Sequence, residues 1–233
     1  MELGPKIFAK LGDTPIITET VVWGWIFSIL ILAFAFLATR NMQRIPKGFQ
    51  AVAEWIVEFV YNMVIDVMDD VGERFAPYMG TLLIFLVPGS MLGLLDCRPL
   101  AADLNCTAPL AIVSFVMIHY NAIRVKTAKG YLKELSSPYA FMLPMNILSD
   151  SMFPITLAMR LFGNLLAGVI VMTLVYNGLE SLSAMCGSFI PFFQLIIPLP
   201  LNGFFDMFEP VLQGYIFVML TMVFTANGRK VEE

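Results

Sequence analysis

Arg160 carries a permanent positive charge inside an apolar run, TLAMRLFGNLLAG at 156–168. A guanidinium stays protonated in a protein, and placing one deep in a bilayer costs at least about 2.5–3.5 kcal/mol. Such a residue faces a water-filled cavity or a partner carboxylate and marks an ion pathway. The plainer reading is a snorkelling arginine, or an ion pair that only locks two helices. Thr156, Arg160 and Asn164 stand four residues apart and share one face of a helix. Gly163, Ala167 and Gly168 keep the nearby surface small, so another backbone can approach. Further on, Asp206, Glu209 and Gln213 recur at i, i+3 and i+7, with Asn202 one turn earlier, again one helical face. Two carboxylates on such a face are costly unless protonated, hydrated or paired. One would neutralise Arg160, so the second points to a hydrated path or a proton relay. Asp150 and Asn146 add polar groups at the start of the arginine segment.

The elements that must position these groups are membrane helices. Of 233 residues, 58% are hydrophobic and 14% charged, against about 25% charged in soluble domains. This is a polytopic, all-α membrane protein with one amphipathic helix, and with about five transmembrane helices if each of its two long last runs is a single helix. The run 17–39 is long enough to cross a ~30 Å core and ends in Arg40, Arg44 and Lys47. Over 48–72, Ile56, Val60, Val64 and Val67 recur at helical spacing with Glu54, Glu58, Asn62 and Asp66 between them. That pattern predicts an amphipathic helix, lying along the membrane surface or packed on another subunit. A span over 75–95, kinked at Pro88-Gly89, leads to a polar loop at 96–109. A span from 110 past 121 follows, and then a basic loop from Arg124 to Lys133. His119, near the end of that span, reads as an interfacial or packed residue.

The runs 141–176 and 185–226 are too long for simple crossings: at 1.5 Å per residue the first alone would reach roughly 54 Å. Each is either a hairpin or a steeply tilted, kinked helix, and Asn177-Gly178 reads as the turn between them. Basic residues gather on one side, which puts the N-terminus outside and the C-terminus in the cytoplasm. Cys97 and Cys106 flank the polar loop; an oxidising compartment would allow a disulfide between them, and the odd cysteine count favours free thiols. There is no basic tract for nucleic acid, no nucleotide-binding glycine loop, no catalytic triad and no metal-ligand spacing. The chain therefore moves or couples something. It is not an enzyme on its own and needs no cofactor or metal. A secondary transporter or ion channel is the alternative, weakened by the lack of an internal repeat.

At this point the residues resemble a known family. TLAMRLFGNLLAG is similar to the arginine motif of subunit a of the rotary F-type ATP synthases, and DMFEPVLQGYIFVMLTMVF to the glutamine-bearing last helix of that subunit. ADLNCTAPLA and PMNILSDSMFP also resemble it, and the likeness runs from about residue 20 to the end. The resemblance implies a stator subunit in the bacterial plasma membrane, with the ring of c subunits and the peripheral-stalk b subunits as partners. Its two long last helices would be tilted against the ring. The family's essential arginine maps onto Arg160, its asparagine onto Asn164 and its glutamine onto Gln213. Of an ionisable pair expected in the outer half-channel, one member maps onto Asp206 and the other onto Val169, which is apolar here. Glu209 would supply the missing group, with Asn202 beside it. Asp150 and Asn146 would sit near the inner exit. The transported ion would be a proton, or sodium, bound mainly by the ring. The implied division is an outer tail at 1–16, transmembrane helices at 17–139 with the amphipathic helix at 48–72, a two-helix ion-translocating core at 140–228, and a cytoplasmic tail at 229–233.

Overall fold

Twenty-one residues of almost unbroken hydrophobicity form α1 (Glu19–Thr39), and most of its large apolar side chains stay exposed, as a lipid-facing helix requires. The computed structural model describes residues 7–11, 14–40, 42–69, 72–95, 99–136, 139–185 and 197–228. Before α1, the strands β1 (Ile7–Leu11) and β2 (Thr14–Thr18) pair antiparallel. All other described elements are helical. Five helices are long and apolar enough to cross a membrane, over Glu19–Thr39, Gly72–Leu94, Leu104–Thr127, Leu143–Ser183 and Pro198–Asn227.

The amphipathic segment becomes α2 (Phe49–Met68), entered through Gly48 at φ 60°, a conformation that favours glycine. The expected single helix over 48–72 stops earlier: Asp69 turns the chain at φ 52°, and Gly72 opens α3 (Gly72–Ser90). A Cβ on Gly72 would stand 2.9 Å from Val64, so this close turn needs glycine. Val60, Val64 and Met68 of α2 bury against Met79, Leu82 and Leu86 of α3. Thus one stripe of α2 packs on its own chain. A second stripe, with Val52, Trp55 and Phe59, remains exposed. After Pro88, α3 tightens into a 3₁₀ turn over Met91–Leu95.

α4 (Leu104–Leu135) begins earlier than the sequence predicts. Asp103 accepts the Asn105 backbone N–H at 3.0 Å and caps the start. The helix also runs on through the expected basic loop, broken only at Thr127 (φ 66°, ψ 149°). α5 (Leu143–Met185) is one continuous helix of 43 residues, about 65 Å at 1.5 Å per residue. It is not a hairpin, and Asn177-Gly178 is helical and does not turn the chain. An apolar surrounding favours a backbone that satisfies its own hydrogen bonds over an Asn-Gly turn. A helix of that length must tilt across a ~30 Å core or project beyond it. The last span, α6 (Pro198–Asn227), is α-helical except for a π-helical turn at Phe204–Phe208.

The core sits where α2, α3, α4, α5 and α6 meet. It contains Ala111 of α4, Leu157, Ala158 and Leu161 of α5, and Phe217, Val218 and Met222 of α6. Tyr78 and Ser114 share a hydrogen bond of 2.9 Å between α3 and α4. Small residues set the closest approaches: a Cβ on Gly214 would lie 2.6 Å from Val87, and one on Gly168 would lie 3.1 Å from Phe205.

Candidate functional site

The buried face of α5 passes through Leu157, Ala158 and Leu161, which fixes the helix against the core. That anchoring leaves the Thr156–Arg160–Asn164 face turned along the boundary with α6. Thr156 and Arg160 are exposed, and Asn164 is half-buried. Among the described residues no carboxylate lies within ion-pairing distance of Arg160. Asp206 and Glu209 therefore do not serve to neutralise it within this chain.

Two cavities meet this face from opposite ends. The larger, about 690 Å³, lies between α4, α5 and α6 and has Arg160, Thr156, Asp150, Asn146 and His119 in its wall. It opens toward the end where α4 and α6 finish and α5 begins. The smaller, about 10 Å³, is lined by Asn164 of α5, by Glu209 and Gln213 of α6, and by Ser90 of α3, and holds about one water-sized probe. Arg160 lines only the first, and Asn164, one turn on, only the second.

The polar residues of α6 differ in their surroundings. Glu209 shares the wall of the smaller cavity with Asn164 of α5. Among the described residues, Gln213 Oε1 is buried with no hydrogen-bond partner. Asn202 Nδ2 donates to Tyr176 Oη at 2.8 Å and pins the far end of α6 to α5. Asp206 lies on the π turn, against the 3₁₀ turn that ends α3. A Cβ on Gly93 would be 3.7 Å from its Oδ1. The Glu209 N–H reaches back to Phe204 O, five residues away, so the turn is wider than in an α-helix. The face on which Asp206 and Glu209 were expected together is split by that turn. Asp206 is directed to α3 and Glu209 to α5.

In the large cavity, Asp150 accepts a hydrogen bond from Tyr131 at 3.3 Å, and its Oδ2 stands 3.8 Å from His119 Nε2. Asn146 Nδ2 donates to Leu135 O at 2.8 Å. Asp150 and Asn146 thus lie on one cavity with Arg160. His119 and Tyr131 belong to that cavity as well, although sequence alone made His119 an interfacial or packed residue and did not select Tyr131. The signal was weak because the two lie on one helix but meet across its break at Thr127. Cys106 is half-buried on α4, while Cys97 lies outside the described residues.

Among the described residues the site thus brings together a half-buried amide, an arginine with no carboxylate in ion-pairing reach, and two cavities with different linings. The model of the ATP synthase A chain family matches residues 21–226. The chain is 32% identical over 224 residues to ATP synthase subunit a of Moorella thermoacetica, covering 96% of this chain and 95% of that protein. It is 33% identical to ATP synthase subunit a 2 of a Bradyrhizobium species, covering 89% and 87%, and 32% identical to ATP synthase subunit a of Oceanobacillus iheyensis, covering 87% and 86%. With its membrane-spanning helices and near full-length match, the chain is a multi-pass membrane protein that belongs to the ATP synthase subunit a family.

Proposed function

We propose that this chain is the stator of the membrane motor and offers two offset half-channels to the carboxylates of a rotating c-ring. The observation that carries the reading is that Arg160 and Asn164, adjacent on one face, front separate cavities. A ring carboxylate arriving at Arg160 meets a fixed positive charge in a low-dielectric place. The charge favours its ionised form, so it releases its proton into the large cavity past Asp150 and Asn146. One step on, it reloads from the side lined by Asp206, Glu209, Asn202 and Gln213. The guanidinium opposes a cation passing straight from one cavity to the other. Each proton is driven by about 2.3 kcal/mol per 100 mV of membrane potential, plus its concentration term.

The basic residues near the α1 end and along the end of α4 support a cytoplasmic position for that side of the bundle and an outside N-terminus, in a bacterial plasma membrane. The exposed face around Arg160 is the surface for the c-ring, and the b subunits of the peripheral stalk complete the stator. Ion-driven ATP synthesis in vesicles carrying the assembled complex tests the reading, with Asp206→Asn, Glu209→Gln and the double variant. Loss in one single variant identifies the reloading carboxylate. Full synthesis in the double variant would make both acids structural and refute the outer path as drawn.

A further inference from the structure

We propose that His119 is a proton-transfer residue of the large cavity, working with Asp150, whose carboxylate Tyr131 orients. The proposal rests on the stator reading above and adds a group that reading does not use. His119 Nδ1 lies 2.9 Å from Phe115 O, one turn back on α4. A carbonyl only accepts, so Nδ1 holds the proton and Nε2 is the atom that gains and loses one. Nε2 faces Asp150 Oδ2 at 3.8 Å. That is longer than a hydrogen bond, but a small rotation of either side chain closes the gap. Tyr131 donates to the same Oδ2 at 3.3 Å, and its ring stands edge-on to the imidazole at 6.0 Å between centroids. The Phe115 ring covers the other side at 3.9 Å.

The arrangement is built for the purpose by a costly piece of backbone. Thr127, a β-branched residue at positive φ, breaks α4 and turns its last segment so that Tyr131 and Leu135 reach the cavity. Asn146 holds that segment through Leu135 O at 2.8 Å. Strain of this kind persists where the surroundings fix it and gathers at working sites. Among the described residues the other titratable or charged groups on this cavity are Tyr131 on α4 and Asp150 and Arg160 on α5, and α6 contributes none. A proton leaving the region of Arg160 meets Asp150, passes to His119 Nε2 and departs to water, and no other bond changes. Imidazole suits the step because it changes charge within about pH 5–8.

The test uses the complete ATP synthase in inverted membrane vesicles and reads ATP-driven proton uptake per assembled complex, across pH. His119→Ala is expected to pump roughly ten-fold or more slowly, and added imidazole, small enough for the 690 Å³ cavity, is expected to restore the rate several-fold. Imidazole is expected to do nothing for Arg160→Ala. Should His119→Ala reduce assembly, His119→Gln decides: slower pumping with a flattened pH profile supports the relay. A wild-type rate in either variant, slow pumping with an unchanged pH profile in His119→Gln, assembled His119→Ala complexes that imidazole does not restore, or a wild-type complex that carries sodium and no protons would overturn it. Arg160→Ala separates the two levels. Normal pumping there defeats the stator reading itself, whereas a dead Arg160→Ala beside a normal His119→Ala defeats only the relay.

Discussion

Arg160 and Asn164 are one helical turn apart on α5, yet the first lines the 690 Å³ cavity and the second the 10 Å³ one. Leu161, between them in sequence, is buried in the core and also borders the smaller cavity. The boundary between the two polar regions is therefore about one turn thick. A charge that is always present on one side of it is well placed to stop a leak without blocking a carrier that slides past.

Asn164 of α5 and Glu209 of α6 line the same small cavity at that boundary. Asn164→Ala removes the amide from the wall it shares with Glu209 and is expected to slow ion-driven synthesis while the complex still assembles. In a double-mutant cycle with Glu209→Gln the effects should be non-additive, with a coupling of about 0.5–3 kcal/mol as for residues in contact. Additive effects would mean the two act independently.

Gly214 sits beside Gln213, where a Cβ would lie 2.6 Å from Val87 of α3. Gly214→Ala forces the α3–α6 crossing apart at the smaller cavity. Overpacking of this kind costs about 1–3 kcal/mol. The expected result is a lower melting temperature of the purified complex and weaker coupling, whereas Gly178→Ala, with open space around it, should leave melting unchanged within error.

Tyr61 donates to Glu73 at 2.6 Å and joins α2 to α3. The hydrogen bond to Glu73 is the largest cause holding the phenol above its ordinary value of 10.0, followed by burial and the charge of the same carboxylate. Because the folded-state value is raised, the contribution is complete below the ordinary tyrosine range. It is lost as pH rises through the folded value, when phenolate and carboxylate repel. Thermal unfolding of wild type against Tyr61→Phe should show a difference at neutral pH that fades in strong alkali. A difference independent of pH would mean that packing alone is lost.

Sequence made much of this site legible because its main residues sit at intervals of four on one helix: Thr156, Arg160 and Asn164 could share no other face. The amphipathic stripe Val60–Val64–Met68 was legible for the same reason. What stayed hidden depends on departures from ideal helix geometry. The π turn at Phe204–Phe208 sends Asp206 and Glu209 to different helices, although their spacing in an α-helix would keep them together. The break at Thr127 brings Tyr131 to His119, and no periodicity announces a single residue at positive φ. Asn177-Gly178, a strong turn signal in water, stays helical within α5 because a long apolar helix keeps its backbone hydrogen bonds internal.

In the proposed mechanism Arg160 is the barrier between two half-channels, and the assembled complex carrying Arg160→Ala tests that role. Ion-driven ATP synthesis and passive proton permeability are read in the same vesicles. If Arg160 is that barrier, synthesis is abolished while subunit content is unchanged and passive permeability rises. Coupled synthesis retained without Arg160 would contradict it.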